Sequence, residues 1–209
     1  VEQNLLALGD LSLLWLEDTG RFRQHPLLCD FAQEKLRDSG REQAVLGAHA
    51  DYYVELALRE NKRLEHAETV VQARQIVEAE FPQIEASWSW ALTAGEDAVV
   101  ANLAFALGEY FYFVGRCQEM LKWDRAGLQA VRRLGLKGHE GALLNEMGRA
   151  YDALGELGQA IKQYQQALEI ARAIGNRRRE GTTLCSLGHA YYSLGEGEKA
   201  IELHQQALE

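Results

Sequence analysis

The sequence predicts a mainly α-helical chain ending in a solenoid of helical hairpins, and three observations carry that reading. Residues 141–169 return at 181–209 with the same residue types at the same phase: Leu144/Leu184, Gly148/Gly188, Tyr151/Tyr191, Gly155/Gly195, Ala160/Ala200, and the run Gln165–Glu169 against Gln205–Glu209. Self-similarity at a fixed period of this size marks a stack of repeated units. Inside each copy the apolar residues recur at three- and four-residue steps, the period of an amphipathic helix. The chain has 209 residues, 47% hydrophobic and 25% charged, with two Pro, which suffices for a substantial core.

In chain order, Leu5, Leu6 and Leu8 suggest the end of a helix. Leu11–Glu17 is apolar enough for a strand, Asp18-Thr19-Gly20 reads as a turn, and Arg21–His25 alternates polar and apolar. Pro26 suits a first helical position, and Leu27, Leu28, Phe31, Ala32 and Leu36 give the following helix one apolar face. Gly40 separates it from a helix over Glu42–Glu60 that carries Val45, His49, Tyr52, Tyr53 and Leu56. His49 on that face reads as a satisfied core histidine rather than a ligand. A longer helix over Glu68–Thr93 carries Val71, Ile76, Val77, Phe81, Ile84, Trp88 and Leu92, and Gly95 ends it. Pro82 removes one backbone donor and is expected to kink or restart that helix.

Each later copy reads as two helices, the first on Leu144, Met147, Tyr151 and Leu154, the second on Ala160, Ile161, Tyr164, Ala167 and Leu168. Gly155 and Gly195 fall where a left-handed cap would end the first helix. Gly148 and Gly188 lie inside it, where Gly costs roughly 1 kcal/mol relative to Ala. Their return needs a packing reason, and Ala160 and Ala200 opposite them would let the helices approach closely. The same offset of forty aligns Leu103, Leu107, Gly108, Phe111, Gly115 and Leu128 with Leu143, Met147, Gly148, Tyr151, Gly155 and Leu168. Met120 and Asp124 break the small and aromatic positions of this upstream copy, which is expected to pack less regularly.

The small residues at these offsets, an aromatic three after the Gly and an Ala seven after the second small residue resemble the tetratricopeptide (TPR) pattern. The matching residues are Leu144, Met147, Gly148, Tyr151, Ala160, Tyr164 and Ala167, then Leu184, Leu187, Gly188, Tyr191, Ala200 and Ala207. His204 stands where the pattern has an aromatic, and the period exceeds the common length of about 34 residues. The resemblance implies a right-handed α-solenoid over 100–209, with a degenerate copy at 101–137, a regular one at 141–177 and a truncated one at 181–209. Residues 40–99 would supply linking and capping helices.

Residues 1–39, read as helix, two-stranded wing and helix, resemble the last part of the winged-helix domain in STAND (NB-ARC-type) signalling ATPases. The resemblance rests on Leu5-x-x-Leu8, Ser12-Leu13-Leu14, Arg21-Phe22-Arg23-Gln24-His25 and the run Leu27–Leu36. It implies a small α+β remnant at the N-terminus, with Gln24-His25-Pro26 at the family's Met-His-Asp motif, whose His contacts bound ADP in the closed state. Pro26 replaces the acid there, and on the residues alone His25 simply precedes or caps a helix. No G-x-x-x-x-G-K-[ST] occurs, so this stretch is expected to hold no cofactor of its own, ATP or ADP belonging to the parent protein.

The net charge of −9 opposes a general affinity for nucleic acid or anionic lipid. Residues 1–20 contain no Lys or Arg, which argues against DNA binding by the wing. No run approaches eighteen apolar residues, so no membrane span is expected. Cys29, Cys117 and Cys185 are odd in number and widely spaced, which suits reduced thiols in a cytoplasmic setting. No signal peptide is visible, Val1 implies residues upstream, and the end at Glu209 in a helix's last turns implies further copies in the parent.

A search for chemistry finds no catalytic constellation. His139-Glu140 opens a zinc-protease-like string, but Leu143 stands where the second His is required. Ser186 and Ser193 lie near His189 with no orienting acid indicated. Arg172 and Arg177–Arg179 form the one basic run, read as a solvated helix end because cations favour helix C-termini, with a phosphate site as the alternative. What remains is a surface. The TPR resemblance places Asn102, Phe105, Glu109, Tyr112, Asn145, Arg149, Asp152, Cys185, His189 and Tyr192 on the first helices, lining a concave groove or on ordinary solvated helix faces.

The resemblances together imply the sensor and protein-interaction arm of a STAND-type signalling ATPase. It would recognise a protein or peptide trigger and act on the nucleotide-binding domain of the same parent chain, with oligomerisation on activation. A plain TPR adaptor, or the regulatory arm of an enzyme whose catalytic domain lies elsewhere, fits the same residues.

Overall fold

Glycines with positive φ recur every twenty residues, at Gly95, Gly115, Gly135, Gly155, Gly175 and Gly195, and this spacing sets the architecture. In a computed structural model that describes residues 14–16, 22–24 and 26–208, each of them follows the end of a helix. At Gly155 the turn is a Schellman motif: its N–H donates to Asp152 O and the Glu156 N–H to Tyr151 O, both at 2.9 Å. The carbonyls left over at the helix end are thereby satisfied.

The chain divides into two compact units, up to Ala48 and from His49. In the first, β1 (Leu14–Leu16) and β2 (Phe22–Gln24) pair antiparallel, Leu14 opposite Gln24. Helix α1 (Pro26–Asp38) begins on the proline, whose missing N–H is an orphan in a first turn anyway. The expected order of strand, strand and helix is present among the described residues. The helix end inferred at Leu5–Leu8 and the nominated His25 lie outside the described residues. The division falls, along the chain, within α2 (Glu42–Leu64).

The second unit contains the rest of α2, then α3 (Val70–Ala94), then three hairpins: α4 (Asp97–Phe113) with α5 (Cys117–Arg133), α6 (Lys137–Ala153) with α7 (Leu157–Ala173), and α8 (Arg177–Ser193) with α9 (Gly197–Ala207). From α4 to α8 each helix has 17 residues, which with a short turn makes the twenty-residue step. From α3 onward each helix packs on the next in a solenoid-like stack. Helix α2 runs four residues beyond its predicted end, and it buries Ala50, Val54, Ala57 and Leu64 while Val45 and Tyr52 stay exposed. His49 is half-buried with both ring nitrogens engaged, 3.0 Å from Ser87 Oγ and 3.2 Å from Gln83 Oε1, as its satisfied-core reading requires.

Two expectations are revised. Helix α3 does not restart at Pro82: Pro82 and Glu78 are both exposed, so solvent can take the bond that the Glu78 carbonyl loses. The ring over Gly148 is that of Tyr164, and over Gly188 that of His204, so the mid-helix glycines make room for a ring rather than for Ala160 and Ala200. The upstream copy has the same 17-residue helices as the next one but a different filling over its glycine. Met120 and Asp124 are both buried, and over Gly108, where Asp124 is too short to reach, Met120 Cε and the Glu146 side chain fill the space at ordinary contact distances.

The first hairpin is tied to α3 through aromatic rings. Trp88 on α3 stacks on Trp123 of α5 at 4.0 Å, and Phe81 packs against Tyr110 and Phe111 of α4. Polar rungs recur with the repeat further on: Arg125 donates to the Tyr151 hydroxyl at 2.9 Å and Gln165 to that of Tyr191 at 3.4 Å.

Candidate functional site

Equivalent phases of α4, α6 and α8 hold Phe105, Asn145 and Cys185, and likewise Glu109, Arg149 and His189. Between these helices and the last turn of α2 lies a concavity of about 670 Å³. Its lining includes Asn61 and Glu65 from the α2 end, Phe105 and Glu109 from α4, and Gly141, Asn145, Glu146 and Arg149 from α6. Ala167 of α7 contributes, then Asn176, Arg178, Arg179, Thr182, Thr183 and Ser186 at the start of α8.

Arg149 is the most heavily engaged side chain there. Its guanidinium donates through Nη1 and Nη2 to both carboxylate oxygens of Glu109, donates again to Glu146 Oε2 at 2.8 Å, and lies 4.3 Å from the Tyr112 ring centroid. Such planar, bidentate pairing is what a guanidinium provides and an ammonium does not. Burial works against the Arg149 charge, but the bonds and charges of Glu109 and Glu146 outweigh it and hold the guanidinium more firmly protonated than usual. Behind this group Asp124 is 1% exposed and its Oδ2 has no hydrogen-bond partner. Burial, then the neighbouring charge of Glu146, push its carboxyl well above the usual range, and burial also raises Glu146.

The basic run is placed differently from its sequence reading. Arg172 closes α7, but Arg177–Arg179 open α8, where a cation opposes the helix dipole. Arg172 and Arg177 pair with Glu180 at 2.8 and 3.0 Å, as Arg132 and Lys137 one repeat earlier pair with Glu140 at 2.7 and 2.8 Å. These are structural rungs. Burial alone would raise the Glu140 carboxyl, yet the bonds from Lys137 and Arg132 bring it below its ordinary range. Arg178 and Arg179 have Gly138 and His139 as counterparts, so they are departures from the repeat. Both line the concavity, and neither has a carboxylate within ion-pair distance among the described residues.

Two lining residues also carry a side-chain carbonyl oxygen that is closed to solvent and lacks a partner. Asn61 is 9% exposed and its Oδ1 accepts no hydrogen bond, and the same holds for Oδ1 of the half-buried Asn145. A buried acceptor without a donor costs on the order of 1–3 kcal/mol. Thr182 and Ser186 turn their hydroxyls back to the carbonyls of Arg178 and Thr182.

Of the residues nominated from sequence, Phe105, Glu109, Asn145 and Arg149 line the concavity. Tyr112 lies outside the lining and supports Arg149. Asn102, Asp152, Cys185, His189 and Tyr192 also lie outside it; Tyr192 is solvent-exposed and His189 packs its ring 5.1 Å from that of His204. Asn61 and Glu65 were missed because they sit outside the repeats, and Arg178 and Arg179 because charge alone marked them as solvated. Their break with the forty-residue pattern was the available signal. Among the described residues no cluster of His, Cys, Asp and Glu is arranged to hold a metal, and no helix is long and apolar enough to cross a membrane.

The family model for the tetratricopeptide repeat matches residues 99–173 and 140–209. Among solved structures, the TPR domain of Arabidopsis FLU is similar at 15% identity and a TM-score of 0.51, over 54% of this chain and 94% of that one. BtubC (BKLC) of P. vanneervenii is similar at 20% identity and 0.55, over 81% and 72%. A Signal Transduction ATPase with Numerous Domains (STAND) protein with a tetratricopeptide repeat sensor, from Pyrococcus horikoshii, is similar at 23% identity and 0.62, over 76% of this chain and 23% of that one. At these identities the likeness is one of fold. No curated protein matches the chain.

Proposed function

The chain belongs to the tetratricopeptide repeat family, and from that premise we propose that it is a protein-interaction scaffold whose concavity takes a protein or peptide segment, serving as the sensor arm of a STAND-type signalling ATPase. The observation that carries the scaffold reading is the concavity of about 670 Å³ lined jointly by the end of α2 and by α4, α6 and α8, where Arg178 and Arg179 depart from the repeat and have no carboxylate within ion-pair distance among the described residues.

The sensor reading draws on the fold likeness to a STAND protein with a repeat sensor and on the strand, strand and helix order of residues 14–38. In it, a trigger with higher affinity for the open state shifts the parent protein toward that state and releases contacts near His25. The shift can be no larger than the trigger's differential affinity allows. ATP or ADP, and the domain that holds it, belong to the parent chain.

The test is nucleotide exchange by the full-length parent with and without residues 100–209, in the absence and presence of trigger. Removal of the repeats is expected to change basal exchange and abolish the response. Exchange and response that both survive would sink the sensor role. A plain adaptor is the second reading, in keeping with the likeness to a TPR domain of which this chain spans 94%. It predicts full partner affinity in residues 100–209 alone and a silent His25→Ala.

A further inference from the structure

The turns of the repeats alternate between two edges of the stack, and the two edges carry opposite charge. Antiparallel packing fixes the alternation: between α6 and α7, Gly141 faces Ile170 while Gly148 faces Tyr164. The turns at Gly135 and Gly175 therefore share one edge, and those at Gly155 and Gly195 the other. Taken over the same window at each turn, residues 132–140 and 172–180 hold seven Lys and Arg against two Glu, whereas 152–160 and 192–200 hold four acids against one Lys. Helices of 17 residues separate the edges, a span of about 25 Å. That is well beyond the screening length of about 8 Å at physiological salt, so each edge acts as its own field.

Part of this charge is uncommitted. On the basic edge Glu140 is shared by Arg132 and Lys137, Glu180 by Arg172 and Arg177, and Asp97 of the preceding turn is taken by Arg133. Arg178 and Arg179 are left with no carboxylate within ion-pair distance among the described residues. On the acidic edge Glu196 lies 3.8 Å from Lys199, while Asp152, Glu156 and Glu198 have no cation within ion-pair distance among the described residues. Both edges also present exposed aliphatic tips, Leu134, Leu136 and Ile174 on the basic one and Leu154 and Leu194 on the acidic one. The basic edge is continuous, since a Cβ on Gly138 would stand 4.0 Å from Ile174 Cδ1 and the two basic turns are thus neighbours.

Aliphatic tips flanked by free cations call for an apolar surface that bears free carboxylates, and the opposite edge of the same chain is such a surface. Anionic lipid or nucleic acid would engage the basic edge alone, leave the acidic tips uncovered and meet the repulsion of a net charge of −9. We infer that the repeats associate with a second copy of this chain, the basic edge at Ile174, Arg178 and Arg179 of one copy meeting the acidic edge at Asp152, Glu156 and Leu194 of the next. Because the two surfaces differ, the contact is heterologous, and it extends into a filament or closes into a ring. It goes beyond the scaffold and sensor readings, and it needs neither nucleotide nor trigger.

Analytical ultracentrifugation of the 209-residue chain at up to about 1 mM is expected to show a molar mass that rises with concentration past that of a dimer. The mass is expected to fall back as salt is raised from about 0.05 to about 0.5 M. Arg178→Gln/Arg179→Gln, and separately Asp152→Asn/Glu156→Gln, should each weaken association about tenfold. Mixed in equal amounts, the two variants should associate again but stop at a 1:1 complex, since the first keeps the acidic edge and the second the basic one. Leu194→Gln should weaken association without altering its salt dependence. All these side chains are exposed or half-buried, so each variant should keep its helical circular dichroism.

A chain that stays monomeric over this range overturns the inference. So does association indifferent to both double variants, and so does association that both weaken but their mixture does not restore, the mark of a contact between like edges. Each of these outcomes leaves the scaffold reading standing, which is tested with a partner other than this chain.

Discussion

Tyr164 lies where a side chain on Gly148 would have to go: a Cβ built on Gly148 would stand 2.5 Å from Tyr164 Cδ1. Tyr164 is fully buried, so its ring cannot swing away to make room. Gly148→Ala is therefore expected to destabilise by about 1–3 kcal/mol, the usual range for overpacking, despite the helix propensity that Ala brings. Gly108 has the opposite surroundings, with its nearest neighbours at 3.6 Å and beyond, and Gly108→Ala is expected to stabilise by up to about 1 kcal/mol. Urea unfolding of the two variants checks both signs, and equal effects would show that the ring is not the reason for Gly148.

His204 occupies in the last hairpin the phase that Tyr164 occupies in the preceding one, and its ring covers Gly188 in the same way, 2.7 Å from a built Cβ. His204→Tyr restores the repeat pattern over an existing glycine and is expected to raise stability by about 0.5–1 kcal/mol. A thermal midpoint that falls would show that the terminal hairpin packs differently from its predecessor.

Asp124 supplies a pH dependence whose sign can be worked out. Burial, then Glu146, hold its native carboxyl well above the ordinary range, so from about pH 4 upward the native state keeps a proton that the unfolded chain has released. The native state then binds more protons than the unfolded one, and stability falls as pH rises until the native pKa is passed. Asp124→Asn removes this titration. Its unfolding midpoint is expected to exceed that of the parent at pH 7 and 8 by a margin that shrinks toward about pH 4. A margin constant over that interval would show that Asp124 titrates normally.

Arg149 and Glu109 sit forty residues apart and form a pair with side chains 24% and 27% exposed. Arg149→Met strands both Glu109 and Glu146 and is expected to destabilise by about 1–3 kcal/mol, below the range for fully buried pairs because solvent reaches both partners. Adding Glu109→Gln relieves one of the stranded charges, so the double variant should lose less than the two single variants summed. Strict additivity in urea unfolding would mean that the pair contributes nothing as a pair.

The periodic elements were legible because each one reports its own local physics. Glycine recurring at a helix end marks a left-handed cap, and a three- and four-residue apolar step marks a buried face. Arg177–Arg179 were misplaced because charge composition alone does not say at which end of a helix a residue falls, and the turn at Gly175 settles that. Ala160 was chosen as the partner of Gly148 on size, whereas the rotation of α7 about its own axis brings Tyr164 over it. Asn61 could not be joined to Asn145 at all, since eighty-odd residues without a shared pattern separate them.

By itself, then, the sequence determined the repeated helices and their forty-residue period, because hydrogen bonding, capping and amphipathic spacing act between residues close in the chain. Only the tertiary structure decided which side chains are used up and which are left over. Arg149 is consumed by Glu109 and Glu146 while Arg178 and Arg179 have no carboxylate within ion-pair distance among the described residues. Ile161 and Leu168 are buried while their copies Ile201 and Leu208 are 60% and 89% exposed, where no further helix follows among the described residues. Pairing and burial depend on what another element places opposite, and identical residues therefore meet different fates in successive copies.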